Sequence, residues 1–435
     1  MKKILIFGAG KSATSLIDYL CTVCEENDWK LLLCDADALL AESKISNCKN
    51  AEAVAADVSI EAERVYLIKD ADIVISMLPP HLHFLVANDC LTYSKNLLNA
   101  SYVDERIKNL SSAIKEKGLL FLCEMGLDPG IDHMSAMKII NKVKNQGGKI
   151  TSFKSHCGGL VAPESDDNPW HYKITWNPGN IVMAGSSGAL FKTDGQIMKV
   201  YYKDVFNNCT SVDVPGLFPL AWYPNRDSLS YIDTYELAGI NTFVRTTLRH
   251  PSFCRGWNKI VNIGLTDLED HDEIKDCKTY NDWYQLKNKG NDFVADEYKM
   301  EFQEQLNYLG IQSAEKMEGD IQNSSLVLQG LLEKRLAMLP NDRDMIVMLH
   351  EIEYELEGEK KQIKSTLIVK GDDQKRTAMA KTVGLPLGIA AKLILQEKIK
   401  LTGLHIPVLP EIYEPVLQEL EKHNITFNEK INLEQ

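Results

Sequence analysis

Long apolar runs are scarce in this sequence, and so are clusters of basic charge. No stretch approaches the run of about 18 apolar residues that a membrane span requires. Met1-Lys2-Lys3 leads straight into Ile4-Leu5-Ile6-Phe7-Gly8, an apolar run too short for the core of a secretory leader. The formal net charge is -13, and no local run of Lys and Arg reverses it. Such a surface repels phosphate backbones and anionic lipid, so neither nucleic acid nor a membrane is an expected partner. Paired cysteines are missing too: the ten cysteines are scattered singly, apart from Cys21 and Cys24. That pattern fits a reducing compartment, with the cytoplasm as the simplest location. Cys21-x-x-Cys24 falls inside the first expected helix and has no second Cys/His pair at ligand spacing, so it reads as neither a zinc nor a redox motif. Internal repeats and low-complexity tracts are absent as well.

What is present is core-building capacity. Hydrophobic residues make up 44% of the 435 residues and charged residues 25%, which is enough apolar material for two or three packed units. Up to about Met125, short β-rich runs alternate with helical patterns, the signature of βαβ units on a parallel sheet. The expected strands are Lys3 to Phe7, Lys30 to Cys34, Ala53 to Val58, Asp72 to Met77, Asn96 to Ala100 and Leu119 to Cys123. The fold class is therefore α/β, with a doubly wound Rossmann sheet.

After Gly130 the pattern changes. Lys149 to Gly159 reads as a strand, and the Gly-, Pro- and aromatic-rich stretch to Arg249 fits an α+β domain that shapes a cleft. Pro251 to Pro340 is charged and helix-patterned, with helices expected over Asp296 to Leu309 and Ser325 to Ala337. Asp344 to Glu357 and Gln362 to Lys370 form a hairpin around Gly358-Glu359-Lys360. Thr377 to Leu395 has helical spacing interrupted at Gly384-Leu385-Pro386. The expected division is 1–128 plus 385–435 for the dinucleotide domain, 129–250 plus 341–384 for a substrate and dimerisation domain, and 251–340 for an inserted helical domain.

Gly8-Ala9-Gly10-Lys11-Ser12-Ala13 fits G-x-G-x-x-A directly after a strand and at a helix start. Small residues there permit a tight turn, close approach of backbone N–H groups to a pyrophosphate, and helix packing. Lys11 does not make it a P-loop, because the spacing of that motif is absent. Asp35, at the end of the second strand, can accept from both hydroxyls of an adenosine ribose. Against a 2′-phosphate it would repel by about 4 kcal/mol per unit charge at roughly 4 Å and an effective dielectric near 20. NAD is thus the expected cofactor, with NADP the second choice; the plainer role for Asp35 is a helix cap. His81, after Pro79-Pro80, reads first as a rim or capping residue and only second as catalytic. Asp166-Asp167 and Asp132-His133 raise a metal reading, but the second pair sits where acids stabilise a helix N-terminus.

Five further strings occur in order: Ala100-Ser101-Tyr102, Gly126-Leu127-Asp128-Pro129-Gly130-Ile131-Asp132-His133, Cys157-Gly158-Gly159-Leu160, Tyr223-Pro224-Asn225-Arg226-Asp227-Ser228 and Thr247-Leu248-Arg249. With Thr382-Val383-Gly384 they span nearly the whole chain, and together they resemble the saccharopine dehydrogenases and reductases of the glutamate-forming type. Thr246 and His250 depart from the Gly and Tyr common there. At the second strand, Asp35 after Cys34 sides with the NAD-using animal domains rather than the NADP-using fungal reductases, which tend to place Arg there.

The resemblance implies oxidation of saccharopine, with water, to L-glutamate and 2-aminoadipate 6-semialdehyde by a homodimeric oxidoreductase of lysine metabolism. It places Ser101, Tyr102, Asp128, Cys157, Gly158, Arg226, Thr247, Leu248 and Arg249 at the substrate, with Asp128, Tyr102 and Cys157 sharing proton handling. The cofactor positions are Gly8, Gly10, Lys11, Ser12, Asp35, Asp57, Val58, Leu78, Pro79, Ala100 and Leu127. A substrate with three carboxylates needs buried or semi-buried arginine forks in a net-acidic protein, and Arg226 and Arg249 lie in aromatic segments suited to that task. Two rivals are a reductive amine–aldehyde condensation of the carboxynorspermidine type and a catalytically silent dinucleotide sensor. The arginine pair argues against the first, and the joint presence of Tyr102, Asp128 and Cys157 against the second.

Overall fold

The computed structural model describes residues 1–289, 297–317 and 321–433. The chain forms two compact units, residues 1–146 with 375–427, and residues 147–374 with 428–435.

In the first unit, runs such as Lys3-Ile4-Leu5-Ile6-Phe7 are apolar on both faces, as strands buried under helices on either side must be. The strands are β1 (Lys3–Phe7), β2 (Lys30–Asp35), β3 (Ala51–Ala55), β4 (Ile73–Ser76), β5 (Asn96–Asn99) and β6 (Leu120–Leu122), with Gly403–His405 as the seventh. Their order across the sheet is Gly403–His405, β6, β5, β4, β1, β2, β3, all parallel. The order reverses between β1 and β4, which makes the carboxyl ends of those strands the switch point where doubly wound sheets bind ligands. Helices α1 (Thr14–Asn27), α2 (Ala38–Ile45), α3 (Glu61–Asp70) and α4 (Pro80–Thr92) connect the first five strands. Between α3 and α4 lies a buried ion pair, Arg64 Nε to Asp89 Oδ2 at 2.6 Å, with the guanidinium also donating to the Val58 carbonyl.

The helix Ala378–Leu395 belongs to this unit and runs unbroken through Pro386, where an interruption was expected. Tertiary packing overrides the local signal. The bare faces of Gly384 and Gly388 lie on α1, where an added Cβ would sit 2.8 Å from Leu16 N and 2.7 Å from Tyr19 Cδ1 respectively. By length and composition this helix is apolar enough to cross a membrane, contrary to the expectation that no stretch is; 78% of it is buried inside the protein. A second correction concerns cysteine. Cys21 on α1 and Cys48 beyond α2 are joined in a disulfide, with Cα atoms 5.4 Å apart, while Cys24 is a buried free thiol. The bonded pair lies 27 positions apart in the sequence, so no local spacing announces it.

The second unit is built on β7 (Lys149–Val161), β8 (Ala189–Thr193), β9 (Gln196–Val200), β10 (Thr210–Val212), β11 (Leu220–Pro224), β12 (Arg226–Asp227), β13 (Thr242–Arg249), β14 (Asp344–Leu356) and β15 (Glu359–Lys370). The main path is β10, β11, β13, β7, β14, β15 and then Asn428–Leu433. Only β7 and β13 pair in parallel along it. The β14–β15 hairpin turns on Glu357 and Gly358, both at positive φ, which matches the twist of the strands it joins.

The expected domain boundaries shift accordingly. The helix Ile131–Asn145 belongs to the first unit, so the break falls at 146/147 and not at 128/129; the return falls at 374/375, and 428–433 pairs with β15. The helical stretch after Pro251 is not a unit of its own. Trp257, Trp283, Phe302 and Leu332 share one core with Trp170, Tyr172, Ala221 and Tyr223. Two of its helices occupy Lys299–Leu309 and Ser324–Arg335, while Asp296 lies outside the described residues.

Gly384→Ala is expected to lower the melting temperature, since overpacking a close contact costs about 1–3 kcal/mol. An unchanged transition in thermal unfolding would mean that α1 and its partner helix separate freely.

Candidate active site

In the first unit the glycine-rich turn follows β1. Gly8 has φ 102°, and a Cβ there would lie 2.9 Å from the Met77 carbonyl oxygen, whereas a Cβ at Gly10 would meet nothing within 4 Å. The first glycine makes the turn, and the second leaves backbone open to approach, which suits a dinucleotide pyrophosphate. Asp35 holds this turn in place: Oδ2 accepts from Ala9 N at 2.7 Å and Oδ1 from Asp37 N at 3.0 Å. The cap of α2 is Asp37, not Asp35. Lys44 Nζ donates to Thr14 Oγ1 at the start of α1, bringing one cation to the same turn.

The remaining expected cofactor positions fall beyond successive strand ends: Asp57 and Val58 after β3, Leu78 and Pro79 after β4, Ala100 after β5 and Leu127 after β6. Lys11 and Ser12 lie in the turn after β1. The Asp57 carboxylate accepts from Ser59 N and Oγ, which lowers its pKa and shapes the loop after β3.

The segment after β6 folds into a tight backbone knot. Gly126 N donates to Pro129 O, Ile131 N to Gly126 O and Asp132 N to Leu127 O. A Cβ on Gly130, at φ 145°, would lie 2.1 Å from Gly126 O. The Asp128–Pro129 peptide is cis. The knot presents Asp128 to the segment after β5, where Tyr102 OH donates to Asp128 Oδ1 at 3.4 Å. Asp128 does not cap the following helix; Gly130 occupies that position, and its N–H donates to Asp132 Oδ1 at 2.6 Å. Nearby, buried Glu124 accepts from Val103 N at 3.1 Å and pairs with His133 Nε2 at 2.9 Å. One more chain of bonds crosses the strand ends: Ser76 Oγ to His83 Nδ1 at 2.8 Å, and His83 Nε2 to Ser101 Oγ at 2.8 Å.

In the second unit, Thr247 and Cys157 are paired across β13 and β7, and Cys157 is buried and takes no part in the disulfide. Gly158 is glycine for a steric reason: a Cβ would lie 2.5 Å from the Leu248 carbonyl oxygen. Arg249 is buried, its guanidinium 5.2 Å from the Tyr172 ring centre and 5.6 Å from that of Phe253. It donates to the carbonyls of Leu248 at 2.8 Å and Gly159 at 3.4 Å, and Nε has no hydrogen-bond partner among the described residues. Burial pushes the adjacent Tyr223 phenol up to about 12, partly offset by Arg249, so it stays neutral and supplies no counter-charge. Among the described residues no carboxylate pairs with Arg249. Arg226 differs: it lies exposed on β12 at φ 51°, so of the two arginines expected to be buried or semi-buried only Arg249 is. A second buried arginine, Arg245, stacks over Tyr231 at 4.6 Å.

Residues 4–122 match the family model described as the saccharopine dehydrogenase NADP binding domain, and residues 126–425 match the saccharopine dehydrogenase C-terminal domain. This chain belongs to the saccharopine dehydrogenase family. The sequence is 30% identical to the Saccharomyces cerevisiae saccharopine dehydrogenase [NADP(+), L-glutamate-forming], over 99% of both chains. The apo structure of the L-Glu forming enzyme from that yeast superposes with a TM-score of 0.90, covering 99% of this chain and 100% of that one. The alpha-aminoadipic semialdehyde synthase of Arabidopsis thaliana is 32% identical over 98% of this chain; the chain spans only 44% of that relative's length. A family carrying this dinucleotide domain uses a nicotinamide dinucleotide, and the names of the domain and of the yeast enzyme specify NADP.

Within this family member, sequence reasoning singled out His81 and passed over His83. His81 is exposed and His83 buried. The signal was helical periodicity: with α4 starting at Pro80, His83, Val86, Ala87 and Cys90 form one inward stripe. Glu124 and Arg245 also went unnoticed, because a lone polar residue gives no periodic signal, and His133 was weighed only as half of a metal pair with Asp132.

Beside Cys157, His156 bonds Thr246 Oγ1 at 2.7 Å and Glu351 Oε2 at 3.4 Å, and Lys364 Nζ lies 2.7 Å from Glu351 Oε1. The bond from His156 lowers the Glu351 carboxyl pKa, burial raises it, and Lys364 lowers it further, leaving it at about 2. A depressed carboxyl pKa stabilises the fold above the unfolded value of about 4.3 and loses that contribution as pH falls toward the folded value. Glu351→Gln is therefore expected to flatten the decline in stability below about pH 4.3, removing on the order of 2–3 kcal/mol at neutral pH. Equal acid sensitivity in denaturant titrations of variant and wild type would remove Glu351 from the account.

Proposed function

We propose that the chain oxidises saccharopine with a nicotinamide dinucleotide and water, giving L-glutamate and 2-aminoadipate 6-semialdehyde. The observation that carries this reading is Arg249, a buried guanidinium with no carboxylate partner among the described residues in a protein of net charge -13. A cation kept there against desolvation makes sense if an anionic ligand completes its hydrogen bonds, and saccharopine brings three carboxylates. Arg226, Cys157, Gly158, Thr247 and Leu248 are assigned to the same substrate on the strength of the family motifs.

Gly8, Gly10, Lys11 and Ser12 are the residues that would hold the pyrophosphate, and Asp35 the adenosine ribose. Held there, the dinucleotide would supply the hydride acceptor for the carbon that was the lysine ε-carbon. Before that transfer the secondary amine of saccharopine must lose its extra proton, and Asp128, carried by the glycine knot, is the acceptor. Tyr102, bonded to Asp128, orients that carboxylate and then the water that attacks the imine. Addition of water and breakage of the C–N bond release glutamate and leave the aldehyde. Cys157 offers a weak donor only.

The choice between NAD and NADP rests on two opposed charges. The Asp35 side chain accepts two backbone bonds, and a carboxylate at this place opposes a 2′-phosphate. Lys44 approaches the same turn and would favour one, in line with the NADP(+) in the names of the fungal relatives. We give Asp35 the greater weight because its carboxylate bonds the turn directly.

Purified protein is expected to reduce the dinucleotide on addition of saccharopine and to release glutamate, with NAD at least about tenfold better than NADP. Lysine as the product would sink the assignment, and equal use of NADP would sink the argument from Asp35. In the same assay Arg249→Ala should raise the saccharopine KM about ten- to a hundredfold at unchanged dinucleotide KM, the loss of one charge-assisted bond. Asp128→Ala should instead lower kcat and shift the pH–rate profile; retention of both would assign Asp128 a purely structural role.

A further inference from the structure

Three polar side chains at the carboxyl ends of β4 and β5 form a chain whose hydrogen-bond directions can be worked out. Ser76 closes β4, Ser101 follows β5, and His83 on α4 bridges them, with 2.8 Å to each hydroxyl. Ser76 and His83 are buried, at 1% and 4% exposure, while Ser101 is half-buried. Burial, with His81 adding to it and Asp104 opposing, holds His83 well below its ordinary value, at about 4, so the ring is neutral at physiological pH. A neutral imidazole donates from one nitrogen and accepts at the other.

The two tautomers are not equivalent. If Nδ1 carried the hydrogen, Ser76 would accept it, and its own hydroxyl hydrogen would be buried with no acceptor among the described residues. If Nε2 carries the hydrogen, Ser76 donates to Nδ1 and Ser101 Oγ accepts from Nε2, so every buried donor and acceptor in the chain is used. In this second arrangement the hydroxyl hydrogen of Ser101 is not consumed by His83. The Ser101 backbone is fixed as well, its N–H donating to Asn99 Oδ1 at 3.1 Å and its carbonyl accepting from Glu124 N at 3.1 Å.

We infer that His83 is a positioning residue: it holds Ser101 so that the Ser101 hydroxyl donates outward, to a carboxylate of the substrate at the sheet's carboxyl edge. Ser76 sets the tautomer, His83 transmits it, and Ser101 makes the contact. The inference rests on the assignment of saccharopine as substrate.

Two measurements test it. The tautomer is read on the free protein by nitrogen-15 NMR of the imidazoles: the His83 signals should show a protonated Nε2 and an unprotonated Nδ1 from about pH 6 to 8, well above the folded pKa, and Ser76→Ala should shift that balance. A protonated Nδ1 or an imidazolium in wild type overturns the relay, whatever the substrate proves to be. In steady-state assays Ser101→Ala and His83→Asn should each raise the saccharopine KM about tenfold at unchanged dinucleotide KM, the worth of one hydrogen bond to a charged group. The double variant should be no worse than either single one, as expected for residues acting in series. His83→Gln, whose side-chain amide reaches the Nε2 position, should recover most of the loss. A rise in dinucleotide KM, or additive losses in the double variant, overturns the proposal. Wild-type inactivity on saccharopine overturns the substrate assignment instead, and the NMR result distinguishes the two failures.

Discussion

The contact on which the first unit's candidate site depends is backbone against backbone, between Gly126 and Gly130. No side chain fits there, since a Cβ on Gly130 would overlap the Gly126 carbonyl. Because the two residues meet, the chain after β6 doubles back within five residues and satisfies its own amides before entering the helix Ile131–Asn145. Asp128 is thereby carried at a fixed place beside Tyr102 and is not spent on capping the helix. Rigid presentation of a carboxylate by main chain, with few side-chain rotamers to average over, is the kind of preorganisation that proton transfer requires.

Buried polar groups answer one another in both units, as Lys173 with Asp342 and Lys287 with Asp270 do in the second, and Arg249 departs from that pattern. In the first, buried groups answer one another: Arg64 with Asp89, Glu124 with His133, Ser76 with His83 and Ser101. In the second, Arg249 rests on aromatic faces and main-chain carbonyls, with one nitrogen unmatched among the described residues. A closed network gives rigidity, and an incomplete one gives affinity for whatever completes it.

The sequence conveyed the first sheet well because fully buried parallel strands are written as uninterrupted apolar runs, and β1 matches its expected limits residue for residue. It conveyed the glycine turn because only small residues permit it. It failed where the information is long-range. Cys48 bonds Cys21 across an intervening strand and helix, and nothing near either residue signals the pairing. The stretch after Pro251 looked independent because its helices are amphipathic, yet their apolar faces are covered by Trp170 and Tyr223 from outside the stretch. Arg226 and Arg249 looked alike in aromatic surroundings, and only the fold separates the exposed one from the buried one.

The pairing of Asn428–Leu433 with β15 has a bearing on synthesis at the ribosome. β14 and β15 emerge together as a hairpin, but the strand that covers β15's outer edge is translated only after residues 375–427, all of which belong to the other unit. During that interval the edge of β15 offers open main-chain donors and acceptors, the template on which strands from other chains add. The strand carries Lys360, Lys361, Lys364 and Lys370, and a row of lysines on a waiting edge discourages a neighbouring copy from docking before the chain's own strand arrives.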